Sequence, residues 1–410
     1  MSFDQVRKFP FYDLAKLRQA DARRHTTAAT TPEVDELLSH NCVVAIAISG
    51  GKDSDACALA TAKHLDAIGH TGPRVLIHSD LGSIEWKDSL PSCERLAKRL
   101  GYELIVIRPK SGGLVERWQK RWTANVKRYS NLECVKLILP WSTPSMRFCT
   151  SEKKTSEIVR ELRKRYPTQD ILNVTGVRRQ ESANRSTTPI SENMPTLARK
   201  GALGHTWNAI AHWLIEDVFQ EIFDAGLELH EAYTKYMASR VSCVVCIMST
   251  AADLKAATTC EDNIPVYRVL VELEATSGFG FQGSRWLADV APHLLSADLL
   301  ERVARAKEGA KRRVALEAKL PKHLHFKKGW PEVMPTPAEA ELIAEVRRGV
   351  ADAVGLEVGY TTAEAVLARY AELMAKKALD AAKKSAAAEK KAAAKAKKAA
   401  KAVASELTIA

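Results

Sequence analysis

Val43 to Ser54 reads VVAIAISGGKDS, and Asp55 to Leu65 continues as DACALATAKHL. The first six residues are apolar and mostly β-branched, the pattern of a buried strand; Gly50 and Gly51 break it, and an alanine-rich helical pattern follows. Strand, glycine turn and helix start in succession make a cradle for anions. Adjacent glycines let the backbone approach a ligand and adopt positive φ, and their N–H groups converge where the helix dipole is positive. Lys52 follows the glycines directly and no Walker-type spacing precedes it, which disfavours an ordinary P-loop kinase or GTPase.

Downstream, RVLIHSD ends a second buried strand at Asp80, SCERLAKRLG reads as a helix and YELIVIR as a third strand. Strand and helix alternating at this spacing predict an α/β fold with a parallel sheet and right-handed crossovers. Ligands of such sheets sit beyond the C-terminal strand ends, where Ser49–Ser54 and Asp80 fall. Asp170–Val177, DILNVTGV, reads as a fourth strand and runs into Arg178-Arg179-Gln180-Glu181-Ser182. A planar guanidinium there donates two hydrogen bonds to one anion.

The chain has 410 residues, 46% of them hydrophobic, enough for one large or two ordinary domains. It contains no run of about 18 apolar residues, and MSFDQVRKFPFYDLAK lacks a signal-peptide core, so a cytoplasmic protein without membrane partners is expected. The net charge is +12, but Lys376 to Lys401 holds ten lysines against Asp380 and Glu389, a net +8 in that window alone. The charge belongs to a tail, which reads either as a helix gripping phosphate backbones or as a solvated run.

Eight cysteines in a reducing compartment point to metal or catalysis before disulfides. Cys243-Val-Val-Cys246 is a CxxC pair, whose ordinary chemistries are redox, zinc and iron–sulfur binding. Cys149 stands with Arg147, Lys153 and Lys154 ahead of a predicted helix, a cationic setting that attracts anions. Cys42, Cys57 and Cys93 fall within strand or helix patterns and read as small buried apolar residues. Leu114–Leu139 and the stretch carrying Trp207, Ile210, Trp213, Leu214 and Val218 show helical spacing; their aromatics read as core.

Together, SGGKDS, HSDLGSIEWKDS with Asp80, Gly82 and Glu85, and Val177-Arg178-x-x-Glu181-Ser182 resemble the motifs of the PP-loop ATP pyrophosphatases, the adenine nucleotide α-hydrolase superfamily. The resemblance runs from about Val43 to Ser284 and is nearest in pattern to the phosphoadenosine phosphosulfate reductase-like proteins, including the DNA-phosphorothioation sulfurtransferase. It implies a nucleotide site of Ser49, Gly50, Gly51, Lys52, Asp53 and Ser54, with backbone at Ile77, His78 and Ser79 beside the adenine. Asp80 would lie near metal or phosphates, and Arg178 and Arg179 near phosphates or an acidic substrate. It implies Lys52, Asp53 and Arg178 as catalytic residues, ATP or an adenylyl sulfate nucleotide with Mg²⁺, and a [4Fe–4S] cluster on Cys149, Cys243 and Cys246. Cys260 is the fourth candidate ligand and Cys134 the reserve; with three ligands the site would be an open cluster or zinc. His230 and Tyr233 follow the segment similar to the family's W-x-x-DV pattern and either line the site or sit on a solvent-facing loop.

Two departures bear on chemistry. The reductase branch carries adjacent cysteines where this chain has only Cys149, and no cysteine follows Cys260, so the nucleophile of the thioredoxin-dependent reductases has no evident counterpart unless Cys260 or a cluster cysteine substitutes. The reading is therefore ATP cleavage between the α and β phosphates to adenylate an acceptor in sulfur transfer. Its rivals are a phosphosulfate reductase releasing sulfite and a module that binds ATP or nucleic acid without turnover. A sulfur or electron donor protein and, through the tail, nucleic acid are the partners implied. The expected organisation is a helical lead-in at 1–40, the nucleotide domain at 41–200, and a cysteine-bearing extension closing the site at 201–330. A helical pair at 331–375 follows the break PEVMPTP, and the Lys/Ala tail occupies 376–410.

Overall fold

A computed structural model describes residues 25–327 and 329–407. Of the helical lead-in expected at 1–40, residues 1–24 lie outside the described residues. Pro32–Ser39 forms α1, with Thr31 at its N-cap and proline in its first turn. By Cα proximity the chain divides into two compact units, one of Met1–Lys120, Trp141–Glu274 and Gly280–Glu301, the other of Arg121–Pro140, Ala275–Phe279 and Arg302–Ala410.

The first unit holds a six-stranded sheet. In chain order its elements are β1 Val43–Ile48, α2 Lys52–Ala67, β2 Arg74–Ser79, α3 Ser89–Leu100, β3 Glu103–Ile107 and the start of α4 Leu114–Ser130. A short α5, Phe148–Thr150, runs through a π-helical turn, Ser151–Thr155, into α6 Ser156–Arg165. Then come β4 Ile171–Val174, β5 Ser191–Asn193, β6 Gly204–Trp207, α7 Ile215–Asp224, α8 Glu231–Thr234, α9 Ala251–Thr258 and α10 Ile264–Ser277. The strand order is β3-β2-β1-β4-β6-β5. All neighbours are parallel except the edge pair β5–β6.

Both sheet faces are covered, which is why β1 is apolar throughout and does not alternate with polar residues. Val44, Ile46 and Ile48 pack with Leu59 of α2, Leu96 of α3 and Phe219 of α7. The intervening Val43 and Ala45 pack on the other face with Val159 and Leu162 of α6. Cys42, Cys57 and Cys93 are buried in the first of these cores, as their pattern suggests. The chain steps outward from β1 through β2 to β3, then returns to β1's other side as β4. The reversal makes the C-terminal ends of β1 and β4 a topological switch point, the place where open α/β sheets bind ligands.

Two helical expectations are corrected. The Trp207–Val218 spacing is not one helix. Gly204–Trp207 pairs with β4, Trp207 opposite Val174, and with β5, so ladder hydrogen bonds on both sides override the local pattern. The helix begins only at Ile215, where Asp217 Oδ2 accepts from the Leu214 amide at 2.9 Å. Likewise α4 stops at Ser130. Leu132 takes φ 49°, and the chain turns back so that Asn125 Nδ2 donates to the Ile138 carbonyl at 3.0 Å. The apolar residues beyond it, Leu132, Val135 and Leu137, are buried without a helix.

The second unit contains the rest of α4, most of α11 Ala297–Ala318, α12 Pro337–Val354 and α13 Ala363–Leu407. Thr336 and Glu339 form a reciprocal capping box at the start of α12, and Gly355 ends it in the left-handed region.

Candidate functional site

The loop between β1 and α2 is positioned by the register of the sheet. Ile48 pairs with His78, so Ser49 and Ser79 leave the sheet side by side. Gly50 sits at φ +72°, and a Cβ there would stand 2.9 Å from the Ser89 carbonyl oxygen, so this position needs glycine on both counts. Ser54 Oγ accepts from the Ser49 amide at 3.2 Å and donates to the Gly51 carbonyl at 2.7 Å, closing the loop on itself. The amides of Gly51, Asp53 and Ser54 meet no acceptor among the described residues, the usual state of a helix's first turn.

Lys52 is buried, although it is charged. Its amide donates to the Tyr233 hydroxyl at 3.2 Å, its Nζ reaches the Ser239 carbonyl at 3.4 Å and Asp53 Oδ2 at 3.2 Å, and it lies over the Tyr233 ring. From the far side of the switch point comes Arg178. The turn after β4 lies against the start of α2 so closely that a Cβ on Gly176 would stand 2.5 Å from the Asp53 carbonyl oxygen. This approach delivers Arg178 Nε to Asp53 Oδ1 at 2.6 Å. Nη1 of the same side chain donates to Gln180 Oε1 at 2.8 Å, and Nη2 has no acceptor among the described residues. Burial pushes the Asp53 carboxyl up, but Lys52 and Arg178 more than offset it and hold the group below the usual carboxylate range. Two residues on, Asp55 lacks such partners, and burial raises it to about 7 against only the Ser54 hydroxyl and more distant charges.

Ile77, His78 and Ser79 are buried at the end of β2. The His78 ring bridges the Ile48 carbonyl at 3.2 Å and Glu85 Oε2 at 3.1 Å, while Ser79 Oγ donates to the Lys153 carbonyl at 2.9 Å. Asp80 accepts from the Gly82 amide at 2.8 Å and pairs with Arg108 Nε at 2.8 Å. Arg179 turns away from Asp53: its Nε donates to the Thr188 carbonyl at 2.9 Å.

His230 and Tyr233 are both buried, not on a solvent loop. The Tyr233 hydroxyl accepts from the Lys52 and Val241 amides, at 3.2 and 3.0 Å. His230 Nδ1 accepts from the Ala232 amide at 2.9 Å, so the ring is neutral and its Nε2 faces Ser89 Oγ at 3.3 Å. Burial lowers its pKa to about 4 despite the nearby Asp88 carboxylate.

The cysteines divide. Burial pushes the Cys243 thiol up to about 12, and the Cys246 and Cys149 thiols act on it in the same direction, with Lys154 opposing, so these three share one neighbourhood. Cys260 is buried against the Tyr236 hydroxyl, and Cys134 belongs to the second unit. Among the described residues no three His, Cys, Asp or Glu side chains form a group able to hold a metal ion. The donor chemistry of the three thiols suits iron and sulfide, but their arrangement as it stands is not a ligand set. The same holds for Mg²⁺, which typically relies on substrate phosphates with one or two carboxylates; Asp53 is 22% exposed and stands where those phosphates would lie.

Sequence reasoning passed over Gln282. Its Nε2 donates to the carbonyls of Cys246, Ile247 and Ser249, between 2.9 and 3.3 Å, and so holds the turn that carries the CxxC pair. The surrounding FGFQGSRWLADV resembles the loop that closes the family's site, but the role of Gln282 itself is not legible there, because its partners are backbone atoms more than 30 residues away.

A parallel sheet with a glycine loop, a buried lysine and a cross-sheet arginine at its switch point defines an adenine nucleotide α-hydrolase-like domain. The chain belongs to the phosphoadenosine phosphosulfate reductase domain family, which matches residues 43–250, just over half of its length. No curated protein matches it. Among solved structures it is similar to a phosphoadenylyl-sulfate reductase from Candida auris in its phosphate complex, at 14% identity and a TM-score of 0.32, covering 53% of this chain and 97% of that one. It is also similar to the U34-tRNA thiolase NcsA from Methanococcus maripaludis with its [4Fe-4S] cluster, at 13% identity and a TM-score of 0.32, covering 68% of this chain and 86% of that one. No helix among the described residues is long and apolar enough to cross a membrane.

Proposed function

We propose that this protein cleaves ATP between its α and β phosphates and adenylates an acceptor oxygen in a sulfur-transfer reaction. The observation that carries the reading is the Asp53–Arg178 pair, closed at 2.6 Å across the switch point beside the unpartnered loop amides. In this reading the acceptor oxygen forms a bond to the α-phosphorus as the bond to the bridging oxygen breaks, and pyrophosphate leaves. The amides of Gly51, Asp53 and Ser54 hold the leaving pyrophosphate at the helix N-terminus. Lys52 neutralises the charge that develops on it, and the Nη2 group of Arg178 is available to the phosphates. Mg²⁺ bound with the nucleotide would supply Lewis acidity, with Asp53 as its protein ligand.

A genuine phosphosulfate reductase needs a thiol nucleophile, a role that would fall here to Cys260 or to one of Cys149, Cys243 and Cys246. An iron–sulfur cluster at Cys149, Cys243 and Cys246, a sulfur or electron donor protein, and nucleic acid at the lysine-rich end of α13 belong to the same proposal; no chemical step here depends on the cluster. The test uses anaerobically purified full chain: pyrophosphate release from ATP and Mg²⁺ with and without DNA or RNA, beside iron and sulfide analysis. Pyrophosphate release stimulated by one acceptor is the expected result. Sulfite release from phosphoadenosine phosphosulfate with a thiol donor would replace this reading with the reductase one. ATP binding without turnover of either nucleotide would leave a binding module.

A further inference from the structure

A cavity of about 780 Å³, to which the β1–α2 loop contributes no residue, lies at the start of the run from α5 into α6. It runs along α5, the π-turn and α6, and its basic lining is Arg147, Arg160 and Arg163. Between the arginines stand hydroxyl side chains, among them Thr150, Ser156 and Thr196. Several arginines of the first unit are held by carboxylates: Arg74 by Asp66, Arg95 by Asp88, Arg108 by Asp80, Arg117 by Glu152 and Arg165 by Glu103. Within the cavity only Arg160 is so paired, with Glu157. Arg147 donates to Thr150 Oγ1 at 3.2 Å and Arg163 to the Thr196 carbonyl at 3.3 Å, and neither has a carboxylate partner among the described residues. All three are exposed.

We propose that this groove binds the phosphate backbone of a nucleic-acid strand, the acceptor of the reaction. Three features select that ligand over a small anion or a mononucleotide. The three arginines come from one continuous helical run, from Arg147 at the start of α5 to Arg163 in α6, so the groove offers a row of cations along that run. Exposed arginines interleaved with Ser and Thr hydroxyls are the side chains that contact phosphate and sugar. No lining residue is aromatic, so the groove offers bases no stacking platform and reads the backbone without sequence preference. The inference rests on the adenylation reading only for the word acceptor; strand binding stands on the groove alone.

The test is fluorescence anisotropy of a labelled single-stranded oligonucleotide, DNA and RNA in turn, with the full chain across a salt series. Wild type and R147A/R163A carry the same lysine tail, so their difference isolates the groove. Loss of two phosphate contacts is expected to weaken binding at least about tenfold at low salt and to flatten the slope of log K against log salt by about 1.4. R147K/R163K, which keeps the charges, should hold the wild-type slope, and it guards against a fold defect in the alanine pair. Wild-type affinity and slope in R147A/R163A would overturn the proposal, as would equal competition by a phosphate-free polyglutamate peptide. Oligonucleotide binding through the groove without pyrophosphate release would leave it standing and overturn only the catalytic reading.

Discussion

Both units bury cations, but on different terms. In the second unit Arg347 is fully buried, and its guanidinium donates to the carbonyls of Tyr129 at 2.8 Å, Ser130 at 3.1 Å and Gly359 at 2.7 Å while lying over the Tyr129 ring. Its partners are backbone oxygens, fixed by the fold. At the nucleotide loop Lys52 and Arg178 are as deeply buried, yet their shared partner is Asp53, a carboxylate that is 22% exposed. A buried cation whose donors end on backbone is a structural plug; one balanced by a reachable carboxylate at a switch point can exchange that partner for a phosphate. The contrast supports the proposal that Lys52, Asp53 and Arg178 belong to the site and Arg347 to the scaffold.

The contrast breaks most sharply at Arg178. Replacing it with alanine should lower kcat/KM for pyrophosphate release by about 10²–10³-fold, the usual cost of one preorganised donor, with a melting temperature close to wild type. Steady-state kinetics beside a thermal melt check it, and equal loss of stability and activity would make Arg178 a plug like Arg347. The converse is Arg347→Met. It strands three carbonyls and should destabilise the fold by about 2–4 kcal/mol in denaturant titration, with the nucleotide KM unchanged below the transition.

His230 gives a prediction in pH. Its folded pKa of about 4 lies below the ordinary value of 6.5, so the folded state binds fewer protons than the unfolded one. Stability is full above pH 6.5 and declines as pH falls towards 4, by about 3 kcal/mol if this group acts alone. Urea titrations from pH 7.5 to 4 should show the decline in wild type and a flatter profile in H230N, which keeps a helix-capping acceptor. The smallest effect is expected for Tyr233→Phe. Removing the hydroxyl leaves the Lys52 and Val241 amides without their acceptor, at a cost of about 1–2 kcal/mol, and should raise KM for ATP more than it lowers kcat.

How much of this was legible in the sequence follows from how local each signal is. SGGKDS follows β1 directly and each of β2 to β4 is a contiguous apolar run, so the four strands, the parallel sheet and the loop at its edge could be read directly. Arg178 could be read because it follows a strand end, although its meeting with Asp53, 125 residues earlier in the chain, needed the order β1-β4. Trp207 misled because its partners, Val174 and Ser191, are remote, and remote ladder bonds outweighed helical spacing. Tyr233 and His230 were visible as residues but not as buried ones. Arg147 was legible as part of a cationic stretch and Gln282 as part of a family-like loop, but the groove and the bonds of Gln282 were not, since each is defined by atoms that come together only in the folded chain.

The central claim is the bond that breaks. ATP labelled in its α-phosphate, mixed with anaerobic enzyme, Mg²⁺ and single-stranded nucleic acid, should yield adenylate on the acceptor or free AMP, with pyrophosphate in equal amount. ADP and inorganic phosphate, or intact ATP beside sulfite formed from phosphoadenosine phosphosulfate, would contradict it.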